Sequence, residues 1–257
     1  MNIITILKKI KIHYSLILLF IFSVLLGIYT KFLLVLFILL SHEIGHVIFL
    51  NLFNVKIYEI KIYPFGAIIK YLDDNLSNNK NLLIYMGGVF VNILLAVLFF
   101  NFKTFRNVNI IFILLNLIPV IPFDGGRIFI NLFSRILPIK LVKKNFYIFS
   151  FCCGLTLFIF LIFSSKALYF IMIGLLLLRM NYINMISINE EYENFMLYKY
   201  LKPNSKLKEK TTRFWTYNPL NFLFKGYNTT FNYDSFKINE RVLLEKHFKS
   251  NDTNIKK

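Results

Sequence analysis

Three residues, His42, Glu43 and His46, have the types and the spacing of a metal-binding pair with a neighbouring base. On an α-helix, His42 and His46 are one turn apart, a rise of roughly 6 Å, so both imidazoles point to the same side. Two imidazoles in this arrangement bind zinc in metal-dependent hydrolases, in which the glutamate beside them acts as general base. The motif therefore predicts one Zn²⁺ ion and a hydrolytic reaction.

The motif lies in an apolar segment in which no other charged residue occurs between Phe32 and Leu50. An ionisable side chain at the centre of a bilayer costs about 2.5–3.5 kcal/mol on insertion scales. A segment that keeps three such residues within five positions therefore indicates a functional site. The alternative that the sequence leaves open is a polar cluster whose hydrogen bonds are satisfied by neighbouring helices.

The composition is that of a membrane protein, because 57% of the 257 residues are hydrophobic and the mean hydropathy is +0.60. Several apolar runs reach or approach the roughly 20 helical residues that cross a bilayer. We predict an all-α polytopic membrane protein with six transmembrane helices. The predicted segments lie at about residues 14–29, 32–52, 82–101, 108–137, 146–163 and 167–186.

Two segments differ from these apolar helices. Residues 55–71 contain alternating apolar and polar positions, which predicts a small β-hairpin at the membrane edge. Residues 187–257 are polar and basic, and we expect a short soluble C-terminal tail there. The chain is thus predicted to divide into a transmembrane domain, 1–186, and a cytoplasmic tail, 187–257.

The distribution of charge predicts the topology. The chain has a net charge of +17, and its lysines and arginines lie mainly in short loops and in the tail. Basic residues near the N-terminus favour a cytoplasmic start, and six crossings return the C-terminus to the same side. The tail carries eight acidic residues among thirteen basic ones, so we expect a solvated segment and no direct nucleic-acid binding.

Asp124 is the predicted third metal ligand. A catalytic zinc site needs a third protein ligand, and Glu43 and Asp124 are the carboxylates before residue 187 that have apolar surroundings. Residues 119–126 contain prolines and glycines that interrupt the helix, a broken backbone tolerated in membranes where it lines a cavity. Alternatively, Asp124 caps a helix beginning at Gly125 or pairs with Arg127.

A zinc ion held by His42, His46 and Asp124 would lower the pKa of a bound water and polarise a scissile carbonyl. Glu43 would accept the proton of that water and deliver it to the leaving amine.

Two asparagines and the hairpin could support this site. Asn116 could hold the substrate backbone or orient Asp124, and a buried helix–helix hydrogen bond is an equally good explanation of it. For Asn92 a structural contact is favoured over a substrate contact. The strand pattern at 55–71 could pair with an extended substrate segment, or serve the fold alone.

Together these motifs resemble the site-2 protease family of intramembrane zinc metalloproteases, peptidase family M50. The resemblance includes His42-Glu43-Ile44-Gly45-His46 and, far downstream, Asn116 with Pro122-Phe123-Asp124-Gly125-Gly126. Tyr63-Pro64-Phe65-Gly66-Ala67 and residues 132–138 are most similar to the sporulation branch, the stage IV sporulation protein FB type. Gly87-Gly88 departs from the Gly-Pro that the family carries there.

The resemblance implies regulated intramembrane proteolysis of a membrane-tethered sporulation sigma-factor precursor. It also implies membrane inhibitor proteins as partners, a multi-pass location in the membrane around the forespore, and leaves homo-oligomerisation open. This branch carries a nucleotide-sensing cystathionine-β-synthase-type domain, and the tail contains only a short segment like it. Two alternatives remain open: a protease acting on an anti-sigma factor or signal-peptide remnants, and a non-catalytic membrane scaffold.

Overall fold

The computed structural model describes residues 9–63, 66–71, 76–163, 168–203, 207–213, 218–233 and 236–255. The helices in this part of the chain are α1 (Tyr14–Leu25), α2 (Tyr29–Leu52), α3 (Asn78–Leu98), α4 (Lys103–Leu117), α5 (Asp124–Phe133), α6 (Ile139–Phe163), α7 (Leu168–Ile186), α8 (Ile188–Leu201) and α9 (Glu240–Ile255). The strands are β1 (Ile10–Ile12), β2 (Ile57–Tyr63), β3 (Gly66–Tyr71), β4 (Glu209–Arg213), β5 (Asn228–Tyr233) and β6 (Phe236–Asn239). The predicted Pro64-Phe65 turn lies outside the described residues.

Helices occupy all six predicted apolar segments, and the protein is mostly helical with small sheets. Within the described residues, α2 and α3 are long and apolar enough to cross a membrane, and α1 is a shorter apolar helix. Gly27, with φ +68°, ends α1 in the left-handed conformation that glycine adopts without strain. These helices support a membrane protein, and the number of six spans stays a prediction.

The described chain divides into two compact units. The first comprises Met1–Asp73 and Asn79–Ile118, and the second comprises Asp74–Asn78 and Pro119–Lys257. The first unit therefore contains α2 with the predicted metal-binding histidines. The second contains α5, which begins at Asp124.

A three-stranded sheet in the first unit confirms the predicted hairpin and adds a strand to it. β2 pairs antiparallel with β3, and β1 pairs parallel with β2 through Ile10 and Ile60. The strand order β1-β2-β3 leaves β3 at an edge of the sheet. Ile57 and Ile60 are buried, so β2 contributes its apolar positions to the core of this unit.

Glu59 on β2 is surrounded by three lysines. Its carboxylate lies 2.9 Å from Lys11 Nζ, 3.2 Å from Lys70 Nζ and 3.7 Å from Lys61 Nζ. The hydrogen bonds from Lys11 and then Lys70 lower the pKa of Glu59 from 4.5 to about 2. The ionised carboxylate thus joins all three strands of the sheet.

We expect Glu59→Gln to remove part of the acid sensitivity of folding. Because the folded-state pKa is lowered, the carboxylate stabilises the fold above pH 4.5, and this stabilisation is lost as the pH falls from 4.5 towards 2. The variant lacks that dependence. Thermal unfolding of wild type and Glu59→Gln in detergent, measured from pH 6 down to pH 3, should therefore converge at the acid end. Parallel curves over the whole range would contradict this role of Glu59.

The C-terminal residues contain more regular structure than a short tail. β4 pairs parallel with β5, and β5 pairs antiparallel with β6. A hydrophobic core joins α8, α9, β5 and the start of α6, and it consists of Ile139, Tyr192, Phe195, Met196, Leu220, Leu223, Phe231 and Leu244. A buried ion pair of 2.7 Å between Lys199 and Glu240 connects α8 to α9. The predicted domain boundary at residue 187 stays a prediction.

Candidate metal centre

The predicted histidine pair is assembled within α2. His42 and His46 are 3% and 8% exposed, and their Nε2 atoms lie 3.2 Å apart. With zinc–nitrogen bonds of about 2.0–2.1 Å and tetrahedral angles, two ligand nitrogens are separated by about 3.3 Å. The two Nε2 atoms therefore have the separation of two ligands to one tetrahedral ion.

The second ring nitrogen of His46 fixes its tautomer. His46 Nδ1 lies 2.7 Å from the carbonyl oxygen of Ile84 on α3. A carbonyl only accepts, so Nδ1 carries the hydrogen and donates it, and in the neutral ring the lone pair is then on Nε2. Metal-binding histidines commonly have this kind of supporting partner, because it orients the ring and increases the basicity of the ligand nitrogen.

Asn92 contacts the corresponding ring nitrogen of His42. Its Nδ2 lies 3.3 Å from His42 Nδ1, and Asn92 is fully buried, with an Oδ1 that has no hydrogen-bond partner. An amide rotated by 180° has the same shape, and in that orientation Oδ1 would face Nδ1 and accept a ring hydrogen. The backbone carbonyl of Asn92 accepts a bond of 2.7 Å from Asn109 Nδ2. The structural contact expected for Asn92 is thus a contact with a predicted metal ligand, His42.

Glycines allow α2 and α3 to approach closely at the histidine pair. A Cβ atom on Gly45 would lie 2.3 Å from the carbonyl oxygen of Gly87. A Cβ atom on Gly88 would lie 2.5 Å from Nε2 and from Cε1 of His42. Small residues at such crossings let membrane helices pack backbone against backbone. The Gly87-Gly88 pair therefore belongs to the surroundings of His42.

We expect Gly88→Ala to displace the His42 ring and to weaken metal binding by about 10–100-fold, the usual cost of disturbing the supports of a ligand. Gly154→Ala is the matched control, because its Cβ would meet Leu178 at 3.4 Å, an ordinary contact. Competition with a chromophoric chelator measures the affinity of both variants. Equal affinities in both would show that Gly88 does not constrain His42.

Glu43 is held by the edge strand of the first sheet. The backbone N–H of Ala67 on β3 donates to Glu43 Oε1 at 2.8 Å. Gly66, with φ +145°, precedes this contact, and a Cβ atom there would lie 3.4 Å from the same oxygen. The hairpin predicted from residues 55–71 therefore orients the carboxylate of Glu43, which follows His42 in the sequence.

Asp124 is the first residue of α5 and is 6% exposed. The helix begins at Asp124 itself, with Phe123 as N-cap residue, so the predicted cap on a helix beginning at Gly125 is not the arrangement found. Gly126 has little room for a side chain, since a Cβ atom there would lie 3.0 Å from the carbonyl carbon of Val120. His42 and His46 belong to the first compact unit and Asp124 to the second, and Asp124 as the third metal ligand stays a prediction. Two imidazoles and one carboxylate are a known donor set of catalytic zinc sites.

Asn116 has a local partner. Its Nδ2 donates to the carbonyl oxygen of Phe112, one turn earlier in α4, at 3.0 Å. Phe112 in turn meets the His42 ring edge-on, with centroids 5.3 Å apart. The predicted substrate role of Asn116 stays a prediction. Phe112 and Asn109 were not predicted, because an aromatic residue and a lone amide in an apolar helix have no distinguishing pattern.

Parts of this chain are similar to known proteins. Residues 30–107 match the family model of Peptidase family M50. Stage IV sporulation protein FB of Bacillus subtilis (strain 168) is 29% identical over 146 residues, which cover 51% of this chain and 50% of the relative. The chain thus matches about half the length of that curated relative.

A solved structure is similar in fold to a larger share of this chain than the curated relative covers. The Site-2 Protease from Methanocaldococcus jannaschii superposes with a TM-score of 0.57 at 21% identity, covering 68% of this chain and 90% of that one. The family match spans all but the first residue of α2, all of α3 and the start of α4, and therefore includes His42, Glu43, His46, Gly88 and Asn92.

Proposed function

We propose that this chain is a zinc-dependent intramembrane endopeptidase of the site-2 protease family, peptidase family M50, and its similarities to that family support this proposal. The proposed ligands are His42, His46 and Asp124, and the proposed base is Glu43. The observation that carries the proposal is the histidine pair, whose Nε2 atoms lie 3.2 Å apart while the other ring nitrogens have partners that orient them. A structural pair of buried histidines has no need of an adjacent oriented carboxylate.

A zinc ion, when bound, supplies Lewis acidity toward water and toward a peptide carbonyl. The chain supplies the proton transfer. Glu43 accepts a proton from water as the water oxygen bonds to the carbonyl carbon, and it returns that proton to the amide nitrogen as the carbon–nitrogen bond breaks. The Ala67 N–H on Oε1 keeps the carboxylate oriented through both transfers. Asn116 is proposed to hold the substrate backbone.

A transmembrane substrate must expose its backbone before it is cut, because helical hydrogen bonds cover its carbonyls. β3 is an edge strand, and its Ala67 already contacts Glu43. We propose that an unwound substrate segment pairs with this edge, so that its carbonyl is presented next to the base.

The proposed substrate is a membrane-tethered sporulation sigma-factor precursor. Similarity to stage IV sporulation protein FB and the Tyr63–Ala67 motif support this choice. The same resemblance supports membrane inhibitor proteins as regulators and a location in the membrane around the forespore. Six transmembrane helices with both termini in the cytoplasm complete the proposal.

Co-expression with a candidate precursor tests the function. Wild type should convert the precursor to a shorter product, and Asp124→Asn should not, because the amide is a poorer metal ligand than the carboxylate. Glu59→Gln, which changes a carboxylate in the sheet, should process normally. Removal of metal with a chelator should stop processing, and added zinc should restore it.

The outcomes separate the alternatives. Processing of an anti-sigma factor or a signal-peptide remnant in place of the precursor would keep the protease and change its substrate. Zinc-free protein that binds membrane partners without cutting any of them would support a non-catalytic scaffold.

A further inference from the structure

The backbone N–H and carbonyl of Ile121 are held by two polar side chains from apolar helices. Its N–H donates to Ser150 Oγ on α6 at 3.0 Å, and its carbonyl accepts from Asn181 Nδ2 on α7 at 3.0 Å. The Ser150 hydroxyl donates to Asn181 Oδ1 at 2.6 Å, which closes a ring of three hydrogen bonds. Ser150 and Asn181 are both fully buried. We name this ring the Ile121 network.

The Ile121 network fixes the turn that leads directly into Asp124. Phe123 N–H donates to the carbonyl of Val120 at 3.0 Å, and Gly126 N–H donates to the carbonyl of Phe123 at 3.1 Å. A Cβ atom on Gly126 would lie 3.1 Å from Ile121 N, so the first turn of α5 is packed against the anchored peptide. The position of Ile121 therefore determines where Asp124 begins its helix.

The partners of Ser150 and Asn181 indicate a purpose beyond joining two helices. The bond between their side chains alone would join α6 to α7, as polar residues do in membrane proteins. The same two side chains also bond the backbone N–H and carbonyl of Ile121, which lies in the broken segment between α4 and α5. In apolar surroundings such bonds are strongly favoured over unpaired groups, so the turn has one preferred position.

We propose that Ser150 and Asn181 are positioning residues that hold Asp124 in place for metal binding. The inference rests on the proposed function, in which Asp124 is the third ligand. The Ile121 network holds the Asp124 carboxylate in position before the metal binds. Loss of the Ser150 or the Asn181 side chain would release the turn and allow the carboxylate oxygen of Asp124 to move. The expected loss of metal affinity is about 10–100-fold, typical of groups that support a ligand.

The test compares purified full-length Ser150→Ala and Asn181→Ala with wild type in detergent. Zinc affinity is measured by competition with a chromophoric chelator, and ligand geometry is measured from the visible absorption of Co²⁺-loaded protein. Both variants should bind zinc about 10–100-fold more weakly and should shift the Co²⁺ bands. The double variant should be little worse than either single one, because one network is lost in each case.

Ser134→Ala is the matched control. Ser134 is also fully buried, and its hydroxyl donates to the carbonyl of Asn131 at the opposite end of α5. This variant should keep the zinc affinity and the Co²⁺ spectrum of wild type, and thermal unfolding of the metal-free proteins shows which variants are folded. Ser150→Thr keeps the hydroxyl and should recover part of the affinity.

Wild-type zinc affinity and an unchanged Co²⁺ spectrum in Ser150→Ala and Asn181→Ala would overturn the inference. An equal loss in Ser134→Ala would overturn it too, because the effect would then be one of general stability. A wild-type chain that binds no metal would overturn the proposed function itself, and this inference with it.

Discussion

Glu43→Gln is expected to reduce the rate of peptide cleavage by about 10²–10⁴-fold, the usual contribution of a positioned general base. The glutamine has the same shape, and its carbonyl oxygen can still accept the Ala67 N–H that now reaches Glu43 Oε1 at 2.8 Å. The hairpin contact is therefore kept, and only the capacity to carry a proton is lost. Single-turnover cleavage of a membrane-tethered substrate by purified protein measures the effect.

The zinc content of Glu43→Gln distinguishes a lost base from a damaged site. It should equal that of wild type, because Glu43 is not a proposed ligand. Glu59→Gln is the matched control, since it makes the same chemical change in the same unit and should cleave at the wild-type rate. A Glu43→Gln variant that cleaves as fast as wild type would contradict the assignment of the base.

His46→Ala is expected to abolish metal binding at micromolar zinc. The change removes a ligand nitrogen, so its cost should exceed the roughly 10–100-fold loss that follows from disturbing a supporting partner. It also leaves the Ile84 carbonyl without the hydrogen bond of 2.7 Å that it accepts from His46. Metal analysis of purified protein after dialysis against dilute zinc measures the loss.

His247→Ala provides the control for histidine loss. His247 lies on α9, where its Nε2 is 3.3 Å from a carboxylate oxygen of Glu193, and it is not a proposed ligand. This variant should retain zinc at the wild-type ratio. Zinc retained by His46→Ala, or lost equally from His247→Ala, would contradict the proposed ligand set.

The local parts of the site could be predicted from the sequence. The spacing of His42 and His46 determines their common side on a helix, and the structure brings their Nε2 atoms together. Alternation between residues 55 and 71 predicted a hairpin, and β2 and β3 confirm it. Helix breakers predicted an interruption around residues 119–126, where α4 has ended and α5 begins.

Features that depend on distant partners were not predicted. β1 is three residues long and forms because it pairs with β2. Ile10 is opposite Ile60, which lies fifty positions later in the sequence. The strands β4 and β5 are short and mostly polar, so they lack the alternation of apolar and polar residues from which a strand is predicted. Strand pairing of this kind is decided by tertiary context more than by the propensity of the segment.

The supports of the site share this limitation. Asn92, Ser150 and Asn181 are single polar residues in apolar helices, a pattern equally typical of ordinary helix–helix hydrogen bonds. Their roles follow only from what they contact, which is the His42 ring for Asn92 and the Ile121 peptide for the other two. The role of Gly88 could not be predicted for a similar reason: the His42 ring occupies the space that a side chain at position 88 would need.

X-ray absorption at the zinc edge of the purified wild-type protein tests most directly the claim that His42, His46 and Asp124 bind one zinc ion. We expect one zinc per chain, scattering from two imidazoles at about 2.0–2.1 Å, and oxygen ligands at about 2.0–2.2 Å. Asp124→Asn should weaken or alter the oxygen contribution and leave both imidazoles. A spectrum with fewer than two imidazoles or with sulfur ligands would contradict the claim, as would protein that takes up no zinc.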